Sequence, residues 1–322
     1  MDSSWLFIVL AVGAGGVLFS LVVTARRNWQ RRFQLFAYQS ELRVSDEIIT
    51  AAVIRRLRRT DTGSAIGCLV GLLVSALLVV LVNPVDLQFF VWATILPVLL
   101  LCQTAGALAS SLGDELFVST DHAPRVARSN TVSIRDYVSP ARFWLVPALL
   151  LAAVIVGCLG RVLSGSGLID SARFLQSPAV WVVLTALVLG IGGAIAARVV
   201  IDQDQPASDP LELAWSDALR ADTFRNLWVF ESIVGWLAVV LAGIGILLAL
   251  PSPIGVSGAS TILTLAGNVG ILALSCVFNY GAGRSYFRHR LWPSLGDVGE
   301  IVDDSDEDSA AAADAEIEER RS

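Results

Sequence analysis

WVFESIVGWLAVVLAGIGILLAL, residues 228–250, decides the architecture. The run holds one ionisable side chain, Glu231, and otherwise reads as apolar or small residues. A helix needs about 20 mostly apolar residues to cross the hydrocarbon core of a bilayer, and this run has that length. Six further runs meet the same test: Trp5–Thr24, Ala65–Val82, Leu87–Ala109, Phe143–Leu159, Ala179–Ala197 and Ser257–Tyr280. None shows the strict alternation of an outer-membrane strand. The sequence therefore predicts an all-α, polytopic transmembrane helix bundle of about seven spans. It is organised as one lone helix followed by three helical hairpins that begin near residues 65, 143 and 228.

Composition agrees. Hydrophobic residues make up 55% of the 322 and charged residues 16%, against about 45–50% and about 25% in soluble domains. All 23 basic residues are arginine. Without lysine the chain can form neither a retinal Schiff base, whatever its helix count, nor a Walker A phosphate loop.

Arginine placement predicts the orientation, because short cytoplasmic loops retain positive charge. With Trp5–Thr24 running from outside to inside, 21 arginines fall on cytoplasmic segments and only Arg161 and Arg173 fall on outer loops. The basic cluster Arg26, Arg27, Arg31 and Arg32 follows the first apolar run instead of preceding it, the order expected of a retained anchor. The N-terminus is then outside and the C-terminus cytoplasmic. Residues 1–296 are read as the bundle. Residues 297–322, with eleven Asp and Glu against two Arg, are read as an acidic disordered tail.

Two cytoplasmic segments have helical periodicity. Near residues 45–60, Ser45 is placed to cap an amphipathic interfacial helix with Ile48, Ile49, Ala52, Val53 and Leu57 on its apolar side and Arg55, Arg56, Arg58 and Arg59 at its C-terminal end. Near residues 209–226, Asp209 and Pro210 start a second, with Leu211, Trp215, Ala218 and Leu219 on one face and Glu212, Asp217, Arg220 and Asp222 as its polar side. Short helices so placed serve ATPase-coupled permease subunits as docking elements, which makes Ile49, Val53, Leu211 and Trp215 candidate contacts for a partner.

Polar residues inside spans are the default functional pointers. Glu231 is the ionisable one, placed to snorkel or to pair with Arg225 or Arg142. Gln103, Thr104 and Asn268 are placed to hydrogen-bond between helices. The small-residue rows Gly67, Gly71, Ser75 and Gly190, Gly193, Ala194, Ala197 predict close helix packing. Pro97 and Pro147 predict kinks. Cys68, Cys102, Cys158 and Cys276 lie in apolar runs without metal spacing and read as small residues packed between helices. The segment Arg284–Trp292 reads as a headgroup anchor and not as a nucleic-acid patch.

No acid/base pair, nucleophile motif or metal motif occurs, so the sequence predicts neither an enzyme nor a cofactor. It reads best as a cell-membrane, multi-pass subunit of a transport complex, partnered by the lipid bilayer and a cytosolic ATPase in the manner of an ABC-type permease. The alternative is a non-catalytic scaffold or regulatory protein that recruits other cytosolic proteins. A membrane-embedded lipid enzyme ranks last.

Overall fold

The structure is a computed structural model and describes residues 29–42, 47–82, 87–116, 132–203, 205, 210–250, 256–279 and 285–293. The expected span Trp5–Thr24, the cap residues Ser45 and Asp209, and the acidic tail lie outside the described residues. Those described form ten helices and no strand. They are α1 (Trp29–Ser40), α2 (Glu47–Val82), α3 (Leu87–Leu116), α4 (Ile134–Tyr137), α5 (Pro140–Gly165), α6 (Ser171–Gln176), α7 (Pro178–Asp202), α8 (Pro210–Leu248), α9 (Val256–Asn279) and α10 (Tyr286–Leu291). Six stretches among them are long and apolar enough to cross a membrane, centred on α2, α3, α5, α7, α8 and α9. They correspond to the last six apolar runs of the sequence and are compatible with a multi-pass membrane protein.

Two sequence expectations change. The segment near 45–60 is not a separate surface helix. It is continuous with the second apolar run, making α2 a single helix of 36 residues. The segment near 209–226 likewise joins the sixth run in α8, 39 residues long. No proline interrupts either junction. At the first, Gly63 stays within the helix and lies against α3: a Cβ there would overlap Ser110 and the carbonyl oxygen of Gly106.

Helix α8 is the axis of the bundle and packs on α2, α3, α5, α7 and α9. Half of its apolar stretch is buried inside the protein, against 17–22% for the other five. Helix α2 packs mainly on α3, and α5 packs on α7. The connections are antiparallel. Arg56 near the start of α2 meets Glu115 near the end of α3. Arg142 near the start of α5 donates to the carbonyl of Val277 near the end of α9, at 2.7 Å.

Small residues set the helix spacing. A Cβ on Gly67 would collide with the Cys102 carbonyl, and one on Gly106 with the Gly63 carbonyl. A Cβ on Gly71 would lie 3.1 Å from Cys102 Cβ and from Leu99 Cα. Backbone here lies against backbone, the contact that only glycine permits. In α7, Gly193 and Ala197 are buried as the spacing suggests, whereas Ala194 is exposed. On α9, Gly270 receives the indole of Trp236, whose Nε1–H donates to the Gly267 carbonyl at 2.9 Å, and Gly267 faces Val240.

Large apolar residues point outward along the spans: Leu73, Trp181, Val188 and Ile262 are each at least two-thirds exposed. Such a surface suits hydrocarbon as solvent and would be an aggregation hazard in water. Cys158 and Cys276 also lie on this outer surface, so the expectation that all four cysteines pack between helices fails for these two. Cys68 and Cys102 are half-buried along the α2–α3 contact.

Candidate functional site

The antiparallel connections bring the arginine-rich helix ends together. The result is a polar layer beneath a cap of aromatic side chains. Its centre is carried by α8. Asp217, Arg220, Phe224 and Leu227 recur at helical spacing on one buried stripe, and all four are 4% exposed or less. Asp217 and Arg220 were expected on the polar side of the 209–226 segment, opposite its apolar face. They are interior instead, and each has partners that offset the cost of desolvating it.

Arg220 reaches the Glu115 carboxylate at 4.0 Å and donates to the Gln203 carbonyl at 2.8 Å, tying the end of α7 to α8. Glu115 also accepts from Arg56, and the same guanidinium nitrogen donates to Thr223 Oγ1 at 2.9 Å. One carboxylate thus sits between two arginines where α2, α3 and α8 meet. Beside it, Arg59 pairs with Asp114 at 2.7 Å. Helix α3 runs past its apolar core to Leu116 because Asp114 and Glu115 find these partners.

Asp217 accepts from the Tyr137 hydroxyl at 2.7 Å and from the Trp292 indole N–H at 2.9 Å. Its two oxygens join α4, α8 and the chain after α10. Helix α10 is held at further points. Arg288, 3% exposed, pairs with Glu41 at 2.9 Å, and Arg290 pairs with Asp136 at 3.2 Å. Burial alone would raise the Asp136 carboxyl. Hydrogen bonds from the Ser133 backbone N–H and hydroxyl and from Arg290 outweigh that, and hold it below the usual carboxylate range. The segment expected to be a headgroup anchor is therefore bound into the protein by Arg288, Arg290 and Trp292.

Aromatic rings close the layer. Phe33 of α1 stacks on Trp215 at 5.2 Å, and Phe36 lies 6.3 Å from it. Phe224 meets Tyr137 and Trp228 at 5.4 and 6.1 Å. Helix α1 thereby buries Phe33, Phe36 and Ala37, while Leu35 and Tyr38 face outward, Tyr38 at 83% exposure.

The residues expected as docking contacts lie on inward-facing sides of α2 and α8. Val53 and Trp215 are 2% and 1% exposed and belong to the protein's own core; Ile49 and Leu211 are partly buried against it. Their apolar side packs within the protein.

Glu231 is 6% exposed, on the side of α8 that faces α7. Its carboxylate lies against Gly193, where any Cβ would overlap it, and Oε1 has no hydrogen-bond partner. The arginines proposed as its partners are engaged elsewhere: Arg225 with Asp222 at 2.6 Å, and Arg142 with the Val277 carbonyl. Both line a separate small cavity of about 30 Å³. Gln103 is half-buried where α3 passes Gly67, and Asn268 is half-buried on α9. Thr104, expected to bridge helices, donates to Leu100 and Leu101 within its own helix. Comparison with protein-family models, curated proteins and solved structures yields no match for this chain.

Proposed function

We propose that this chain is a multi-pass membrane protein whose arginine-rich end is a rigid cytoplasmic platform for a soluble partner, a scaffold or regulatory role and not a conduit. The carrying observation is helix length. At 1.5 Å per residue α2 and α8 are about 54 and 58 Å long, while the hydrocarbon core is about 30 Å thick. Each helix therefore carries more than 20 Å beyond the lipid tails. Most of that excess lies at the end where Arg56, Glu115, Arg220 and Asp217 bind the helices to one another. The arginine asymmetry supports a cytoplasmic position for that end; the proposal counts seven spans, Trp5–Thr24 included, and takes the cell membrane as the host bilayer. Leu35 and Tyr38, turned outward on α1, supply the apolar contact that a partner would bury.

The test is a crosslinking pull-down of the full chain from its own membrane in mild detergent, followed by mass spectrometry. A soluble partner is expected, with at least a tenfold loss in the Leu35→Glu/Tyr38→Glu variant, since buried aromatic anchors each carry on the order of 2 kcal/mol at an interface. Recovery of the chain alone would sink the scaffold reading.

One observation favours a second reading, the membrane subunit of a transport complex with a cytosolic ATPase. A buried carboxylate with an unpaired oxygen, seated in a glycine notch between two spans, is a group that a translocated cation or proton can use. A co-purifying ATPase, together with transport lost in Glu231→Gln, would favour it over the scaffold.

A further inference from the structure

A groove of about 500 Å³ opens between α2 and α3 just beyond their tightest contact. Arg55, Arg58, Arg59 and Thr62 line it from α2, and Ser110 and Asp114 from α3. Arg59 is neutralised by Asp114 at 2.7 Å. Arg55 and Arg58 remain exposed, leaving the groove an excess of positive charge. The hydroxyl of Thr62 donates to the Arg58 carbonyl at 2.8 Å and that of Ser110 to the Gly106 carbonyl at 3.0 Å. Both hydroxyl hydrogens are thus committed to backbone, and the oxygens remain acceptors.

The surface below the groove changes character along a single stripe. Arg55, Arg59, Thr62, Ile66, Val70, Leu73 and Leu77 follow one another at intervals of three and four residues, the spacing of one helix face, and all are exposed. Cationic groups come first, then a hydroxyl, then four large apolar side chains. From Ile66 to Leu77 the stripe runs about 16 Å, close to the depth of one leaflet, half of the about 30 Å core.

We propose that this groove binds an anionic phospholipid. Arg55 and Arg58 donate to its phosphate, the Thr62 and Ser110 oxygens accept from headgroup hydroxyls, and an acyl chain lies along Ile66 to Leu77. Basic pockets at the ends of spanning helices suit this chemistry, each arginine near the headgroup plane adding about 1 kcal/mol, or about a fivefold preference for negative charge. The inference rests on the reading of the chain as a membrane protein, and it assigns a lipid to the platform's edge that the proposed function does not require.

The test uses the full chain in detergent micelles, with phosphatidylglycerol or phosphatidylcholine added at equal concentration and bound lipid counted by native mass spectrometry. Phosphatidylglycerol is expected to be retained in preference. Arg55→Ala/Arg58→Ala should weaken its binding roughly tenfold to a hundredfold, whereas Arg55→Lys/Arg58→Lys should keep most of it. Arg161→Ala/Arg173→Ala, at the opposite end of the bundle, should change nothing. Equal retention of the two lipids, or undiminished phosphatidylglycerol binding by the alanine variant, overturns the site. Inorganic phosphate displacing the lipid from the arginines and binding as tightly would assign them to a free anion and overturn the lipid assignment. A chain that alkaline carbonate strips from membranes defeats the membrane reading, and the groove falls with it. A chain that stays in the membrane yet does not discriminate between the lipids defeats the groove alone.

Discussion

Glu115→Gln melts on the order of 10 °C below the wild-type chain in detergent. The substitution keeps the side chain's size but removes the one negative charge between Arg56 and Arg220. Both cations stay behind, Arg220 at 4% exposure and Arg56 at 16%. Breaking a buried pair by removing one partner costs about 3–5 kcal/mol, because the surviving charge keeps its desolvation penalty. In a chain of this size 1 kcal/mol corresponds to roughly 2–4 °C. The same physics predicts the opposite for concerted replacement. Arg56→Met/Glu115→Leu/Arg220→Met removes every charge of the triad together, and its melting temperature should return to within a few degrees of wild type. Arg220→Met alone should be milder than Glu115→Gln, since Arg56 and Glu115 still pair. A wild-type melting temperature for Glu115→Gln, measured by thermal unfolding of the purified protein, would mean that the layer does not bind the helices together.

Gly67→Leu separates α2 from α3. A Cβ at this position meets the carbonyl of Cys102 and the Cα of Gln103. These are backbone atoms and cannot step aside by changing rotamer. Overpacking a well-filled core costs about 1–3 kcal/mol even where side chains can adjust, so a loss at or beyond the top of that range is expected, with a melting temperature lower by roughly 5–10 °C. Gly192→Leu is the matched control. Gly192 is exposed on α7 and nothing lies within 4 Å of a Cβ there. Leucine also has the better helix propensity, by up to about 1 kcal/mol, so this variant should melt at or slightly above wild type. Equal melting of the two variants would show that the hairpin does not depend on close backbone approach.

The glycine rows of α2 were readable in the sequence because small residues four apart have one strong physical use inside a bilayer. The six long apolar helices were readable too, since hydrocarbon thickness dictates the length of an apolar run that could cross it. What the apolar-run rule cannot see is where a helix ends once it has left the lipid. Polar residues at Thr60 to Ser64, and again at Asp222 to Asn226, resemble breaks when each is judged against a bilayer. Judged as helix, neither contains a stop, and α2 and α8 continue through both.

The polar layer was hidden for a related reason. Asp217 and Arg220 look like a solvent face while their partners are unknown. Those partners, Glu115, Tyr137, Gln203 and Trp292, are scattered over the chain and meet only through the alternation of helix direction. One signal was present: both residues continue the stripe that carries Phe224 and Leu227, so they sit where apolar residues would be expected. Glu231 was legible as an exception to its run. That its carboxylate would lie against Gly193, and not against an arginine, depended on the rotation of α7 about its axis, which periodicity alone does not supply.

Substituted-cysteine labelling in intact cells tests whether the chain crosses the membrane repeatedly with its arginine-rich end in the cytoplasm. In a background with Cys68, Cys102, Cys158 and Cys276 replaced by serine or alanine, single cysteines are placed at Gly167, in the turn between α5 and α6, and at Arg290 in α10. A membrane-impermeant maleimide is expected to label Gly167→Cys in intact cells and Arg290→Cys only after the membrane is opened. The reverse pattern would invert the topology and move the platform outside, and labelling of both in intact cells would contradict a bundle whose two ends lie on opposite sides of a bilayer.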